Sequence, residues 1–228
     1  MTSANHRIFP LGDSALTVEF ANSINIEYNK KAIAFAARCD RDAFPGFIEA
    51  VPAYSSTTIF YDLPEVRKAF PEHQSAYDTV REIATSLLVD LDVSGEGETK
   101  LVEIPINFGL DIALDLDEIA RQSGLAEAAV IEIFLDRTYR VFMIGFLPGF
   151  SYMGEVDERI ATPRKESPRT VVPRGSVGIA GKQTGIYSLE SPGGWQIIGR
   201  TDLELFTPEA KSPSLLAPGD QVRFIAVE

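Results

Sequence analysis

Ten of the chain's 17 glycines lie between Gly145 and Arg200, and that clustering limits how this stretch can fold more than any other feature does. Glycine is used where φ must be positive or where another group must approach the backbone closely, so the segment reads as shaped loops joining short strands. Strands are expected at Tyr139–Ile144, Arg169–Val172, Val177–Ala180, Gly185–Leu189, Trp195–Thr201 and Gln221–Ala226, with Pro218-Gly219-Asp220 turning the chain into the last. Many short strands with glycine corners close into a barrel.

Charge singles out the same region. From Arg159 to Arg200 there are seven Lys and Arg against two acids, a local balance of +5 in a chain whose net charge is −12. An acidic protein repels nucleic acid and anionic membranes as a whole, so a basic, glycine-shaped segment points to a site for a small anion. Arg164, Arg174, Lys182 and Arg200 are the candidates for stabilising that charge; the alternative is a loop-rich barrel surface with solvated arginines. No run of about 18 apolar residues exists and the N-terminus has no basic patch followed by an apolar stretch, so a cytoplasmic protein is expected. The lone Cys39, in an alanine-rich helical pattern, reads as a buried structural thiol.

The first part of the chain has a different rhythm. Ala15–Phe20 alternates like a strand, Ile26–Arg38 carries apolar residues at helical spacing, and Phe47–Ala53 and Thr57–Tyr61 read as a strand pair. A helix with the stripe Tyr77, Val80, Ala84, Leu87, Leu88 and Leu91 follows. This order fits an α+β sandwich over residues 1–93, with both helices on one face. Ser94-Gly-Glu-Gly-Glu98 reads as a linker, and residues 99–228 form the second domain. There Lys100–Asn107 reads as a strand that Pro105 places at an edge or ends early. Asp115 and Glu118 form a capping box for a helix over Leu116–Gln122, and Leu125–Leu135 continues as a second helix.

Several chemistries fail on residue type or spacing. Two histidines, His6 and His73, fall outside the basic segment and there is no cysteine pair, so no protein-held metal site is expected; Mg2+ arriving with phosphate is left open. Gly178-Ile-Ala-Gly-Lys182-Gln183 lacks both the first glycine and the Ser/Thr of a P-loop. Ser151 and Ser191 sit in no nucleophile elbow. Ser191-Pro-Gly-Gly-Trp195-Gln196 reads either as an anion-facing turn with Trp195 as an aromatic wall or as a strand entry whose tryptophan fills the barrel. Gly145-Phe146-Leu-Pro148-Gly149-Phe150 reads as a pocket wall or a barrel end. Phe146, Pro148, Gly149, Gln183, Thr184, Trp195 and Gln196 are the candidate substrate-binding residues.

The ordered runs Tyr139–Gly154, Ala161–Arg164, Val172–Gly181, Gln183–Tyr187 and Glu190–Trp195, with weaker matches at Leu11–Ala15, Val51–Tyr54 and Tyr61-Asp62, closely resemble one family. It is the carboxyltransferase subdomain C/D family, which includes the 5-oxoprolinase B subunits, the first subunit of allophanate hydrolase and an inhibitor of a sporulation histidine kinase. The resemblance implies a ferredoxin-like N-terminal domain followed by a cyclophilin-like β-barrel. It implies a protein that is inactive alone and works with a companion cyclophilin-like C subunit, and with an amidohydrolase-like third component, to activate 5-oxoproline with ATP for opening to glutamate. Phosphorylating the lactam oxygen would turn a poor electrophile into a good one. Two rivals stand beside it: a binding module that docks a partner's helical or proline-containing segment and inhibits a histidine kinase, its exposed apolar groove drawn from Phe146, Phe150, Tyr152 and Trp195, and the first subunit of allophanate hydrolase. This chain departs from the family pattern at Gly109-Leu110-Asp111, where a Gly-Gly-Glu-like stretch is usual, at Phe134, where histidine is common, and at Lys182, where a small residue is usual.

Overall fold

The computed structural model describes residues 6–93 and 99–227; the Ser94–Glu98 stretch read as a linker lies outside them. The chain divides into two compact units, Met1–Glu98 and Thr99–Glu228.

The first unit contains β1 (Arg7–Pro10), β2 (Ala15–Glu19), α1 (Ile26–Arg41), β3 (Phe47–Ala53), β4 (Ser56–Tyr61), α2 (Leu63–Ala69) and α3 (Ala76–Leu87). Its four strands form an antiparallel sheet in the order β1-β2-β4-β3. Alternation along β4 turns Thr57, Ile59 and Tyr61 inward, where Ile59 and Tyr61 meet Ala32, Phe35 and Cys39 of α1 and Val80 and Ala84 of α3. Burial pushes the Cys39 thiol up to about 12, which keeps it protonated at neutral pH. Two elements go beyond the sequence expectation. β1 lines the edge beside β2, and α2 starts at Asp62-Leu-Pro-Glu65, where the Asp62 carboxylate accepts the Glu65 N–H at 2.8 Å and proline occupies the first turn.

The second unit contains β5 (Leu101–Asn107), α4 (Leu116–Ser123), α5 (Glu127–Leu135), β6 (Thr138–Ile144), β7 (Ser151–Gly154), β8 (Arg169–Val172), β9 (Ser176–Ala180), β10 (Gln183–Ile186), β11 (Ser191–Gly193), β12 (Gln196–Arg200) and β13 (Gln221–Val227). Seven of these strands close a barrel in the order β10-β7-β6-β13-β5-β12-β9. Its interior is packed with Ile104, Ile106, Val141, Met153, Val177, Ile179, Ile186 and Ile198, and α4 and α5 add Ile119, Val130 and Phe134 to the same cluster.

Two strand expectations are corrected. Arg169–Val172 is outside the barrel: as β8 it pairs with β11 in a separate two-stranded sheet. Pro105 neither marks an edge nor ends its strand, because β5 runs parallel to β13 along its whole length. The missing N–H is tolerated because the ladder to β12 on the other side is reduced to Asn107↔Arg200.

Candidate functional site

Strand alternation sends successive side chains to opposite sides of a barrel wall, and this separates two apolar populations. Inward residues form the core just described. Outward residues of barrel strands, Tyr152, Ala180 and Ile197, join Val172 of β8 and the strand-flanking residues Leu147, Phe150, Tyr187 and Trp195 in a second cluster. Trp195 therefore does not fill the barrel. It lies on the outer wall, 5% exposed, with its ring edge-on to Phe150 at 5.6 Å and to Tyr152 at 5.8 Å. The glycines make room for the rings: a Cβ on Gly185 would lie 2.9 Å from the Phe150 ring, and one on Gly193 would lie 2.3 Å from the Tyr187 hydroxyl oxygen.

Over this cluster the chain leaves a groove of about 260 Å3, lined by Phe146, Phe150, Tyr152, Arg164, Pro168, Tyr187, Pro192, Gly193, Gly194 and Trp195. Phe146 stands at its rim, 61% exposed, at a positive φ of 69°, edge-on to Phe150 and Tyr187. Arg164 places its guanidinium carbon 5.8 Å from the centre of the Trp195 ring, a cation–π contact. Burial pushes the Tyr152 phenol up against the opposing pull of Arg164. Burial likewise raises Tyr187, against a hydrogen bond from the Trp195 backbone. Both phenols stay neutral near pH 7.

The loop that carries Arg164 and Pro168 is tied down along its length. Thr162 bridges to Gly181, Gln196 Nε2 donates to the Pro163 carbonyl at 3.1 Å, and Lys165 N donates to the Gly194 carbonyl at 2.7 Å. The strongest anchor is Asp115. Its carboxylate accepts Lys165 Nζ, both terminal nitrogens of Arg169 and the Ile197 backbone N–H, each at 2.7 Å. Burial alone would raise this carboxyl, but the hydrogen bonds from Arg169, Lys165 and Ile197 outweigh it and hold the group below the usual carboxylate range. The capping-box expectation is thereby corrected: Asp115 stands at the N-terminus of α4 but makes no side-chain cap bond.

Of the nominated residues the structure brings together Phe146, Arg164 and Trp195, and it places the rest elsewhere. Arg174 lies 3.6 Å from Glu204, and Lys182 pairs with Glu158. Arg200 stands opposite Ser176 at the start of β9; Lys182 follows the other end of that strand, about 13 Å of extended chain away. Thr184 is buried, faces inward and donates to the Gly178 carbonyl at 2.9 Å. Gln196 is buried under the Arg164 loop, its Nε2 on the Pro163 carbonyl and its Oε1 unpartnered. Gln183 pairs with Gly154 and Ala180 outside the groove lining. Gly149 takes a positive φ of 76° against Leu205 and Phe206, and the Pro148 carbonyl accepts the Ser188 hydroxyl at 2.6 Å. Sequence reasoning passed over Tyr187, Pro168 and the Asp115 anchor as parts of this site.

The departures from the family pattern fall away from the groove. Phe134 is fully buried, 5.0 Å from the rings of both Tyr139 and Phe224. Leu110 is an exposed turn residue between β5 and α4. Among the described residues no group of three His, Cys, Asp or Glu is placed to hold a metal ion, and no helix is long and apolar enough to cross a membrane.

A family model of the carboxyltransferase domain, subdomain C and D, matches residues 6–216. The chain is 42% identical over 226 residues to the B subunit of 5-oxoprolinase from Bacillus subtilis (strain 168), covering 99% of this chain and 94% of that protein. It is 41% identical to the crystallised protein PH0987 from Pyrococcus horikoshii, with a TM-score of 0.55 over 97% of this chain and 98% of that one. The crystallised protein TTHA0988 superposes with a TM-score of 0.79 at 34% identity over 94% of this chain, which spans only 40% of the TTHA0988 chain.

Proposed function

The chain belongs to the carboxyltransferase domain, subdomain C and D family, and from that premise we propose that it is the B subunit of an ATP-dependent 5-oxoprolinase. In this reading it works with a companion C subunit of cyclophilin-like build and with an amidohydrolase-like third component, and it has no turnover alone. The second unit is a cyclophilin-like barrel. In the same reading the first is a ferredoxin-like sandwich, which the sheet order β1-β2-β4-β3 supports, with its edge strand β1 before β2 rather than after the last helix.

The observation that carries the reading is the groove: apolar rings and a single guanidinium suit a small anionic ring compound, and 5-oxoproline is one. ATP, with Mg2+, supplies phosphoryl activation of the lactam oxygen. This chain's own part is to bind the lactam, to shield it from water between Trp195, Tyr152 and Phe146, and to hold its negative charge against Arg164. Arg174, Lys182 and Arg200 stay proposed as positive charge outside the groove. A histidine-kinase docking role is less well served, since Phe150, Tyr187 and Trp195 are buried and Tyr152 is half-buried, which leaves Phe146 as the exposed groove aromatic.

The test is co-expression with the companion protein, followed by measurement of ATP consumption with 5-oxoproline, with allophanate and with neither. Consumption that depends on 5-oxoproline supports the proposal. Dependence on allophanate, or on neither compound, replaces it.

A further inference from the structure

We infer that the groove on this chain takes a small, singly charged anion with a flat apolar body, and that it does not hold the polyphosphate of a nucleotide. This deepens the proposed function, resting on it for the groove's place in the reaction, and assigns the phosphate-binding work to a surface other than this groove.

Charge is the first argument. Of the seven cations in the basic segment, five lie against carboxylates, and Arg200 stands at the end of β12 outside the groove lining. Lys165 and Arg169 are spent on Asp115, Arg159 on Asp157 at 2.9 Å, and Lys182 on Glu158. Arg174 is 3.6 Å from Glu204. Arg164 is the only cation in the groove lining, and among the described residues it has no carboxylate within ion-pair distance. A triphosphate spreads several negative charges over its oxygens and is matched in phosphoryl-transfer sites by several cations or metal ions together. One guanidinium matches one carboxylate.

Size and lining agree with that count. The groove, at about 260 Å3, is of a size for a small molecule. Its walls are rings, of which Phe146 is the most exposed and Trp195 lies beneath the Arg164 guanidinium. No acid lines it, and the two phenols stay neutral, so the groove carries no negative charge to repel an anion and none to attract a cation.

The sole tryptophan of the chain, Trp195, gives a direct readout on the full-length protein. Benzoate, a flat monoanion, should change Trp195 emission saturably. Benzamide, its uncharged counterpart, should bind at least about tenfold more weakly, and ATP with Mg2+ should not displace benzoate. Arg164→Gln should weaken benzoate by more than about tenfold, and Arg164→Lys should restore most of the loss, as a charge-assisted contact requires. Equal binding of benzamide, displacement of benzoate by ATP, an unaltered Arg164→Gln, or no response to benzoate would each overturn the inference. Failure of the 5-oxoprolinase reading shows instead in the ATP-consumption assay of the complex and leaves this titration intact.

Discussion

The four hydrogen bonds that end on the Asp115 carboxylate come from three segments bordering the groove: the loop at Lys165, the first residue of β8 and the second residue of β12. Removing the charge would leave Lys165 and Arg169, each about a quarter exposed, without a counter-ion in a half-buried site. Losing one partner of a fully buried pair costs about 3–5 kcal/mol; with partial solvent screening here, Asp115→Asn should cost about 2–3 kcal/mol in urea unfolding. The same variant should increase quenching of Trp195 by acrylamide under native conditions, because the loop holding Arg164 over the ring is released. A loss of stability with unchanged quenching would make Asp115 a structural anchor without influence on the groove. Phe134 shows the opposite relation between family pattern and site. Its ring is part of the barrel core, so the absence of the usual histidine removes nothing from the groove.

At the scale of elements, helix starts show what short-range sequence signals can and cannot reveal. Asn25 caps α1 by accepting the Glu27 N–H at 2.8 Å and the Tyr28 N–H at 3.4 Å. Asn25→Ala should cost about 1 kcal/mol, the usual value of an N-cap, measured as a shift of the urea midpoint. Asp115 has the same local signature, yet its carboxylate is claimed by side chains 50 and 54 residues further on. No window of a few residues contains that competition. The strands of the barrel were legible for the reverse reason, since alternation such as Val177, Ile179 inward against Gly178, Ala180 outward is written in the local order of residues. β1, β7 and β11 were not legible: at three or four residues they show no period-2 pattern, and they lack the β-branched run that marked the equally short β8. The site divides in the same way. Phe146, Arg164 and Trp195 were visible as aromatic and basic residues among glycines, whereas the scattering of Arg174, Lys182 and Arg200 depends on which end of a strand each occupies and which carboxylate it meets.

For the whole molecule, the perturbed acids set where stability changes with pH. Asp115 is held low by its bonds from Arg169, Lys165 and Ile197 against burial, and Asp157 is held low by hydrogen bonds from Arg159 and Arg137. Glu118 is lowered to about 2, chiefly by its hydrogen bond from Arg121. A carboxyl whose folded value lies below its unfolded one binds fewer protons when folded. Its contribution is complete above the unfolded value, about 4, and drains away as pH falls through the folded value. Cys39 works in the opposite sense. Its folded value, about 12, lies above the unfolded thiol's, about 8.5, so the folded state keeps a proton the unfolded state gives up, and stability declines as pH rises through that interval. The expected profile is a plateau in the denaturation midpoint from about pH 5 to 8, bounded by an acid limb and an alkaline limb. Asp115 and Trp195 both belong to the second unit and Cys39 to the first. Trp195 emission should therefore follow the acid limb, and Asp115→Asn should make that limb shallower while lowering the plateau. Cys39→Ala should flatten the onset of the alkaline limb and leave the acid one unchanged. An acid limb of equal steepness in Asp115→Asn and wild type would show that the Asp115 cluster does not govern the barrel's acid stability.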